Sequence, residues 1–337
     1  MLKSKAYLED YHYIKLIVHE SEMHLVDCDN LFVSNKRDNI KLHVYKIEQF
    51  GEYYHINATF KGRVLLHRDY LINLKENKQI QLFLGQIMRT TRFDIENYYD
   101  GPLGVEYHKE YTIFRVWTPV SKEVKLVLNN AEYDLEYVSK GLWELKLDGD
   151  HENSSYYYKV RINDEFKKSL DPYAVSSNIN SEANYVVDMN KAYQIKHHNN
   201  FNGNYLESII YELHLKDVNV ENDASDYLSL IKKLDYIKSL GITHIQIMPV
   251  NVFGGVDEAN KEAMYNWGYN PVEFNSLSEW YSSDGAPYTA INEFKQLVDE
   301  IHHKGLNINL DVVYNHVYVA NTFSLNILVP GYVYRTD

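Results

Sequence analysis

From residue 205 onward the chain alternates short apolar runs with amphipathic stretches, and this alternation constrains its fold more than any other feature. Ser208 to Leu213 is a short apolar run, and Tyr227, Leu230, Ile231, Leu234, Ile237 and Leu240 then fall at helical spacing before Gly241. Ile242 to Val250 is a second apolar run, ended by Pro249. Thr289 to His303 is a second helical stretch, with Phe294, Leu297, Val298 and Ile301 on one face and Gly305 behind it. Leu306 to Val313 is a third apolar run. A glycine just past the last periodic residue is a helix C-terminal signal. Strands joined by crossovers of a dozen or more residues must lie parallel. The polar residues gather at the carboxyl ends of these runs, where a (β/α)8 barrel keeps its site.

Two polar segments stand out there. Tyr265-Asn266-Trp267-Gly268-Tyr269-Asn270-Pro271 holds three aromatic rings in five residues, on a stretch broken by Asn, Gly and Pro. Such a segment is a loop, not a regular core element. Asp311-Val312-Val313-Tyr314-Asn315-His316 is the point where the third apolar run turns polar. A buried parallel strand delivers side chains to a site in this way.

Residues 1–96 read as short strands without a competing helical period. Tyr13 to Glu20, Leu42 to Ile47 and Ile80 to Leu84 alternate, and Arg89-Thr90-Thr91-Arg92 reads as a solvated basic patch. Residues 97–190 open on the turn signal Tyr98-Tyr99-Asp100-Gly101-Pro102-Leu103-Gly104. They continue as strands at Thr112 to Trp117, Glu123 to Leu128, Leu142 to Leu147 and Tyr156 to Ile162, the spacing of a compact β-sandwich. Residues 191–204 read as a linker.

The net charge of −13 argues against nucleic acid or an anionic membrane as partner, since either calls for a basic face. A neutral sugar fits. The 31 tyrosines suit carbohydrate surfaces. A codon bias that also enriches Ile, Asn and Lys explains them at least as well. Cys28 is the only cysteine, so there is no disulfide framework and no thiolate metal cluster. No run of about 18 apolar residues is present to span a membrane. Met1 to Glu20 lacks the continuous apolar core of a signal peptide, so the expected location is cytoplasmic.

Two resemblances follow from these motifs. Phe114-Arg115-Val116-Trp117-Thr118-Pro119 with Asp171-Pro172-Tyr173-Ala174 resembles carbohydrate-binding module family 48, which precedes the barrel in many starch-debranching and branching enzymes. The strand patterns place Trp117 and Trp143 in a core rather than on a sugar platform. The 265–271 segment resembles the signature of type I pullulanases, α-1,6-cleaving members of glycoside hydrolase family 13. Asn270 stands where most of them have Asp. Asp311 to His316 is similar to that family's segment at the end of the third barrel strand. Tyr211-Glu212-Leu213-His214-Leu215-Lys216-Asp217 is similar to its first-strand segment, with Lys216 in place of the usual Arg, and Asn321 to Arg335 continues the pattern.

The resemblance implies two small all-β domains followed by β1–β3 of a (β/α)8 TIM barrel over 205–337. It implies hydrolysis of α-1,6 branch linkages in pullulan, glycogen or amylopectin-type glucans by a retaining double displacement. It assigns substrate contact to Tyr269 (stacking), His316 (hydrogen bonding), Trp267 and Tyr265, and support of the site to Asp311, Asn315 and Tyr211. It implies no organic cofactor. Calcium is left open, because the Asn315 position is a calcium ligand in some relatives. The nucleophilic Asp and the acid Glu belong to later strands, so no catalytic acid is expected in this chain, and the sequence reads as the amino-terminal part of such an enzyme. Another family 13 activity, of branching or amylase type, and a non-catalytic α-glucan-binding protein are the alternatives.

Overall fold

The computed structural model describes residues 2–199, 201, 203–218, 225–261 and 264–335. Asn200 and Asn202 of the expected linker, and Asp337, lie outside the described residues.

The first seven strands are β1 Lys5–Asp10, β2 Tyr13–His19, β3 Phe32–Ser34, β4 Asn39–Phe50, β5 Tyr53–Phe60, β6 Leu71–Asn73 and β7 Gln79–Leu84. They close into a barrel in the order β1-β2-β5-β4-β3-β6-β7. An odd number of strands cannot alternate direction all the way round. One junction must be parallel, and β1 with β7 is that junction, Ala6 facing Leu82. Alternate residues point inward, so Ile14, Leu16 and Val18 of β2 fill the interior with Ile56 and Ala58 of β5.

A helix that the alternation does not announce follows, α1 Thr91–Asn97, crossing the expected boundary at residue 96. Thr90 caps it, its hydroxyl accepting from the Phe93 amide at 3.2 Å. The short basic segment is therefore structural in part. Arg92 pairs with Glu96 at 2.6 Å and lies 4.4 Å over the Tyr11 ring.

Next come β8 Gly104–His108, β9 Tyr111–Trp117, β10 Glu123–Leu128, β11 Ala131–Asp134, β12 Glu136–Ser139, β13 Leu142–Asp148, β14 Ser155–Arg161, β15 Phe166–Ser169 and β16 Asn184–Tyr185. They form two facing sheets. One runs β12-β13-β9-β8 and the other β11-β10-β14-β15, with β16 also on β14. The period-2 pattern decides what lies between them: Phe114 and Val116 from one sheet, Tyr156, Tyr158 and Val160 from the other. Phe114 meets Tyr156 edge-on at 5.4 Å. Trp143 is buried and its indole N–H donates to the Thr118 carbonyl at 3.0 Å. Trp117 packs against Phe93 and Tyr332. Neither tryptophan is a free sugar platform.

The last part holds β17 Ile210–Leu213, α2 Leu215–Val218, α3 Asp226–Ser239, β18 His244–Ile247, α4 Thr289–His303, β19 Asn307–Leu310 and α5 Ser324–Leu328. β17, β18 and β19 pair in parallel, in that order. The helices lie where the 3.6 period puts them. Ser225 caps α3, and Gly241 and Gly305 take φ of +78° and +74° just past α3 and α4. The second strand is shorter than its apolar run because the chain leaves the ladder before Pro249, which has no N–H to donate. Leu213, Ile245 and Ile247 pack against Leu230, Leu234, Leu297 and Ile301 of the helices. The opposite face carries Glu212, His244, Gln246, Asn307 and Asn309. The outer edges expose Ile210 and Leu310.

Beyond β19 the chain returns to the sandwich. Ile327, Leu328 and Val329 join its core, and Thr118 donates to the Leu328 carbonyl at 2.6 Å. Among the described residues no helix is long and apolar enough to cross a membrane.

Candidate active-site half

The two polar segments singled out in the sequence meet at the carboxyl ends of the parallel strands, where two hydrogen bonds join them and a third follows from Tyr318 just beyond. The Tyr269 hydroxyl donates to Asp311 Oδ2 at 2.5 Å, His316 Nε2 donates to the Tyr269 carbonyl at 2.7 Å, and the Tyr318 amide donates to the Pro271 carbonyl at 2.9 Å. His316 Nδ1 lies 3.2 Å from Asn315 Oδ1. With Nε2–H committed to a carbonyl, Nδ1 of the neutral ring is an acceptor, so this contact is a hydrogen bond only when the Asn315 amide turns its NH2 toward it.

The aromatic loop is also fixed from behind, on the segment that follows β18. Gly254 N–H donates to the Asn270 carbonyl at 2.8 Å, and Val272 N–H to the Val252 carbonyl at 2.9 Å. Asn266 closes the turn, its side-chain oxygen accepting from the Gly268 amide at 2.9 Å. Gly268 sits at φ +87°, and a Cβ there would lie 2.9 Å from the Pro249 carbonyl oxygen. Gly268→Ala is therefore expected to cost about 2 kcal/mol. It should lower the melting temperature by several degrees. An unchanged melt would show that the turn is not held by this contact.

Burial raises the Tyr269 phenol to about 12, with the Asp311 carboxylate adding to the effect, so it stays a neutral donor. Tyr265 and Trp267 stand out to solvent, 55% and 61% exposed. Tyr265 donates to Asp217 Oδ1 at 2.9 Å. Tyr211 lies on β17 at the far edge of the sheet, and among the described residues no hydrogen bond or ring contact joins it to Tyr269 or His316.

Sequence reasoning gave His214 no role, yet it is the hub of an aromatic cage. It is buried, its ring centroid is 5.0 Å from that of Tyr265, and its Nε2 meets the Tyr281 hydroxyl at 3.1 Å. Burial holds its pKa down. Lys216 reaches over the Trp280 ring at 4.7 Å and pairs with Asp226 at 2.7 Å. The cage partners are some fifty or more residues from His214 in sequence, so no local pattern could reveal them.

Each carboxylate on the strand ends is already engaged. Asp311 accepts from Tyr269, Asp217 from Tyr265, and Glu212 Oε1 from Gln246 at 2.9 Å. Among the described residues no group of three or more His, Cys, Asp or Glu is placed to bind a metal. What the arrangement offers chemically is an aromatic face with hydrogen-bonding groups beside it, suited to a pyranose ring.

Residues 102–174 match the family described as carbohydrate-binding module 48 (isoamylase N-terminal domain), and residues 209–324 match the α-amylase catalytic domain. Pullulanase of Bacillus subtilis (strain 168) is 30% identical over 314 residues, spanning 85% of this chain and 44% of that protein. Malto-oligosyltrehalose trehalohydrolase of Saccharolobus solfataricus is 31% identical, spanning 64% of this chain and 34% of that protein. Type I pullulanase from Bacillus subtilis str. 168, solved in complex with maltose, superposes with a TM-score of 0.93 at 28% identity over 100% of this chain and 50% of its own. Pullulanase from Anoxybacillus sp. LM18-11, solved with maltotriose, gives 0.91 at 33% identity over 98% of this chain and 51% of its own. The chain thus spans between about a third and about half of the length of these relatives.

Proposed function

We propose that this chain, which is similar to the amino-terminal half of type I pullulanases and carries part of an α-amylase catalytic domain, supplies the sugar-gripping side of an α-1,6-glucan debranching site. The observation that carries this reading is the joining of Tyr269, Asp311 and His316 at the carboxyl ends of β17, β18 and β19. In this reading 1–96 is an amino-terminal all-β domain, 97–190 a family 48 module, 191–204 a linker and 205–337 the first three strands of a (β/α)8 barrel. Relatives solved with maltose and maltotriose support an α-glucan as partner.

The chemistry divides accordingly. Retaining hydrolysis of a glycosidic bond uses two carboxyl groups about 5–5.5 Å apart, one attacking the anomeric carbon and one protonating the leaving oxygen. Asp311, Asp217 and Glu212 each already accept a hydrogen bond from a neighbouring side chain and do not make such a pair. They orient Tyr269, Tyr265 and Gln246. The Tyr269 ring stacks on the sugar at the bond to be broken. His316, through the Nδ1 that the Tyr269 carbonyl leaves open, meets a hydroxyl, Asn315 supports the site beside it, Trp267 and Tyr265 line the approach, and Tyr211 supports the strand beneath. The nucleophile and the acid come from strands that follow β19 in the barrel, and no step is routed through a cation.

The purified 337-residue chain is expected to bind maltotriose yet release no reducing sugar from pullulan. Release above a heat-killed control would overturn the division of labour. With the complete barrel attached, pullulan should give maltotriose. Panose would instead indicate α-1,4 cleavage, the amylase-type reading.

A further inference from the structure

Between the closed barrel and the sandwich lies a cavity of about 950 Å³. One wall is the β3–β4 turn together with the loop that leads into β6. The other is the start of β10 and the turn after β14. Part of its lining is structural. The Lys122 ammonium donates to the Leu66 carbonyl and, at 2.7 Å, to that of Arg68. Arg161 forks onto Asp69, at 2.8 Å and 3.2 Å, and also reaches Glu123 at 2.7 Å. His67 is stacked on Tyr137 with centroids 3.8 Å apart. These groups lock the two β units together: the Lys122 donors are taken by backbone carbonyls, and Arg161 is paired with Asp69 and Glu123.

The remaining charges are not balanced. Lys36, Arg37 and Arg68 line the cavity without an acidic partner among the described residues, and Asp164 is the one acid left beside them. A chain of net charge −13 has here a locally cationic hollow. The lining also holds no Phe, Tyr or Trp, in a chain whose residues are 14% aromatic. A neutral glucan is gripped by stacking on rings, and this cavity offers none. It offers guanidinium forks, which match phosphate geometry, with the amides of Gln79, Gln81 and Asn163 alongside for hydroxyls.

We propose that this cavity is a binding site for a phosphorylated sugar, with Arg37 and Arg68 on the phosphate and the amide side chains on the ring hydroxyls. The phosphate arrives either on a free hexose phosphate or as an ester on a glucan chain.

Calorimetric titration of the full chain tests this with glucose 6-phosphate, glucose, inorganic phosphate, and maltodextrin with and without phosphate esters. Glucose 6-phosphate is expected to bind about ten-fold tighter than glucose or inorganic phosphate, and more weakly as salt is raised. Arg37→Gln and Arg68→Gln should each weaken it by about ten-fold while leaving the melting temperature and maltotriose binding unchanged. Arg37 lies on an exposed turn, so that variant is safe for folding. Competition by the phosphorylated maltodextrin would identify the esterified glucan as the source, and its absence the free sugar phosphate. Equal binding of glucose and glucose 6-phosphate, equal binding of inorganic phosphate, or full binding by both variants would each overturn the proposal.

Discussion

Between pH 4.5 and about pH 8 the Glu273→Gln variant is expected to gain about 3 kcal/mol of unfolding free energy relative to the unsubstituted chain. Glu273 is buried where the chain passes from the aromatic loop toward the sandwich. It accepts from Ser177 and from Asn184, each at 2.7 Å, and from Ser276 at 3.3 Å. Asn184 also accepts from the Asp171 amide at 2.8 Å, so a single amide side chain ties the sandwich to the loop region. Burial raises Glu273 from 4.5 to about 7, in part offset by those hydrogen bonds. A raised carboxyl holds its proton longer in the folded than in the unfolded state. Its contribution is complete below pH 4.5 and is lost as pH rises through about 7. Glutamine keeps the neutral form at every pH and lacks this loss.

Comparing variant with parent is needed because other groups titrate nearby. Burial also raises Asp171 to about 6 and Glu279 to about 8, in the same direction. His67, lowered to about 4 by burial, and Lys122, lowered to about 7, act in the opposite sense. Burial raises Asp299, but hydrogen bonds from His197, Tyr193 and Lys196 outweigh it, so its effect falls below pH 3.8. Urea unfolding of both proteins across this range isolates Glu273. Parallel pH profiles would sink the assignment. Glu273→Leu should instead destabilise at every pH, since it strands the buried Ser177 hydroxyl and one N–H of the Asn184 amide.

What was legible in the sequence follows from how local the cause is. The helices Asp226–Ser239 and Thr289–His303 and the strands of the sandwich lie close to where their periods place them, because burying one face is a property of the segment itself. The meeting of 265–271 with 311–316 was readable as a motif order, though not as a pair of hydrogen bonds. The barrel order of the first seven strands was not readable, since its parallel closure joins residues 6 and 82. Helix α1 is too short to show a period. Nothing local in Val272-Glu273-Phe274 announces the burial of Glu273, whose two shortest hydrogen bonds come from Ser177 and Asn184, about ninety residues upstream. The same holds for Tyr332, which covers Trp117 from more than two hundred residues away.

On the proposed debranching reading, a polypeptide with a complete barrel is expected to lose about 10²–10³-fold in kcat/KM on pullulan with Tyr269→Ala, and about ten-fold with Tyr269→Phe. The two substitutions remove different things. Phenylalanine keeps the ring, and with it the stacking surface, but deprives the half-buried Asp311 carboxylate of its donor at 2.5 Å. Removing a hydrogen bond to a charged group costs about 1.5–3 kcal/mol, part of which the loop recovers by admitting water. Alanine removes the ring as well and leaves His316 holding a backbone carbonyl whose loop has lost its anchor. A displacement of about 1 Å in a positioning group costs about 10²-fold even when that group takes no part in bond breaking. The loss should therefore appear in kcat as well as in KM, because Tyr269 sets both where the sugar sits and how Asp311 and His316 are held. Binding of maltotriose to the 337-residue chain supplies the control. If Tyr269→Ala weakens that binding but leaves kcat within about three-fold, Tyr269 is only a surface on which sugar rests. If kcat falls with it, the joining of the two segments sets the geometry in which the catalytic acids act.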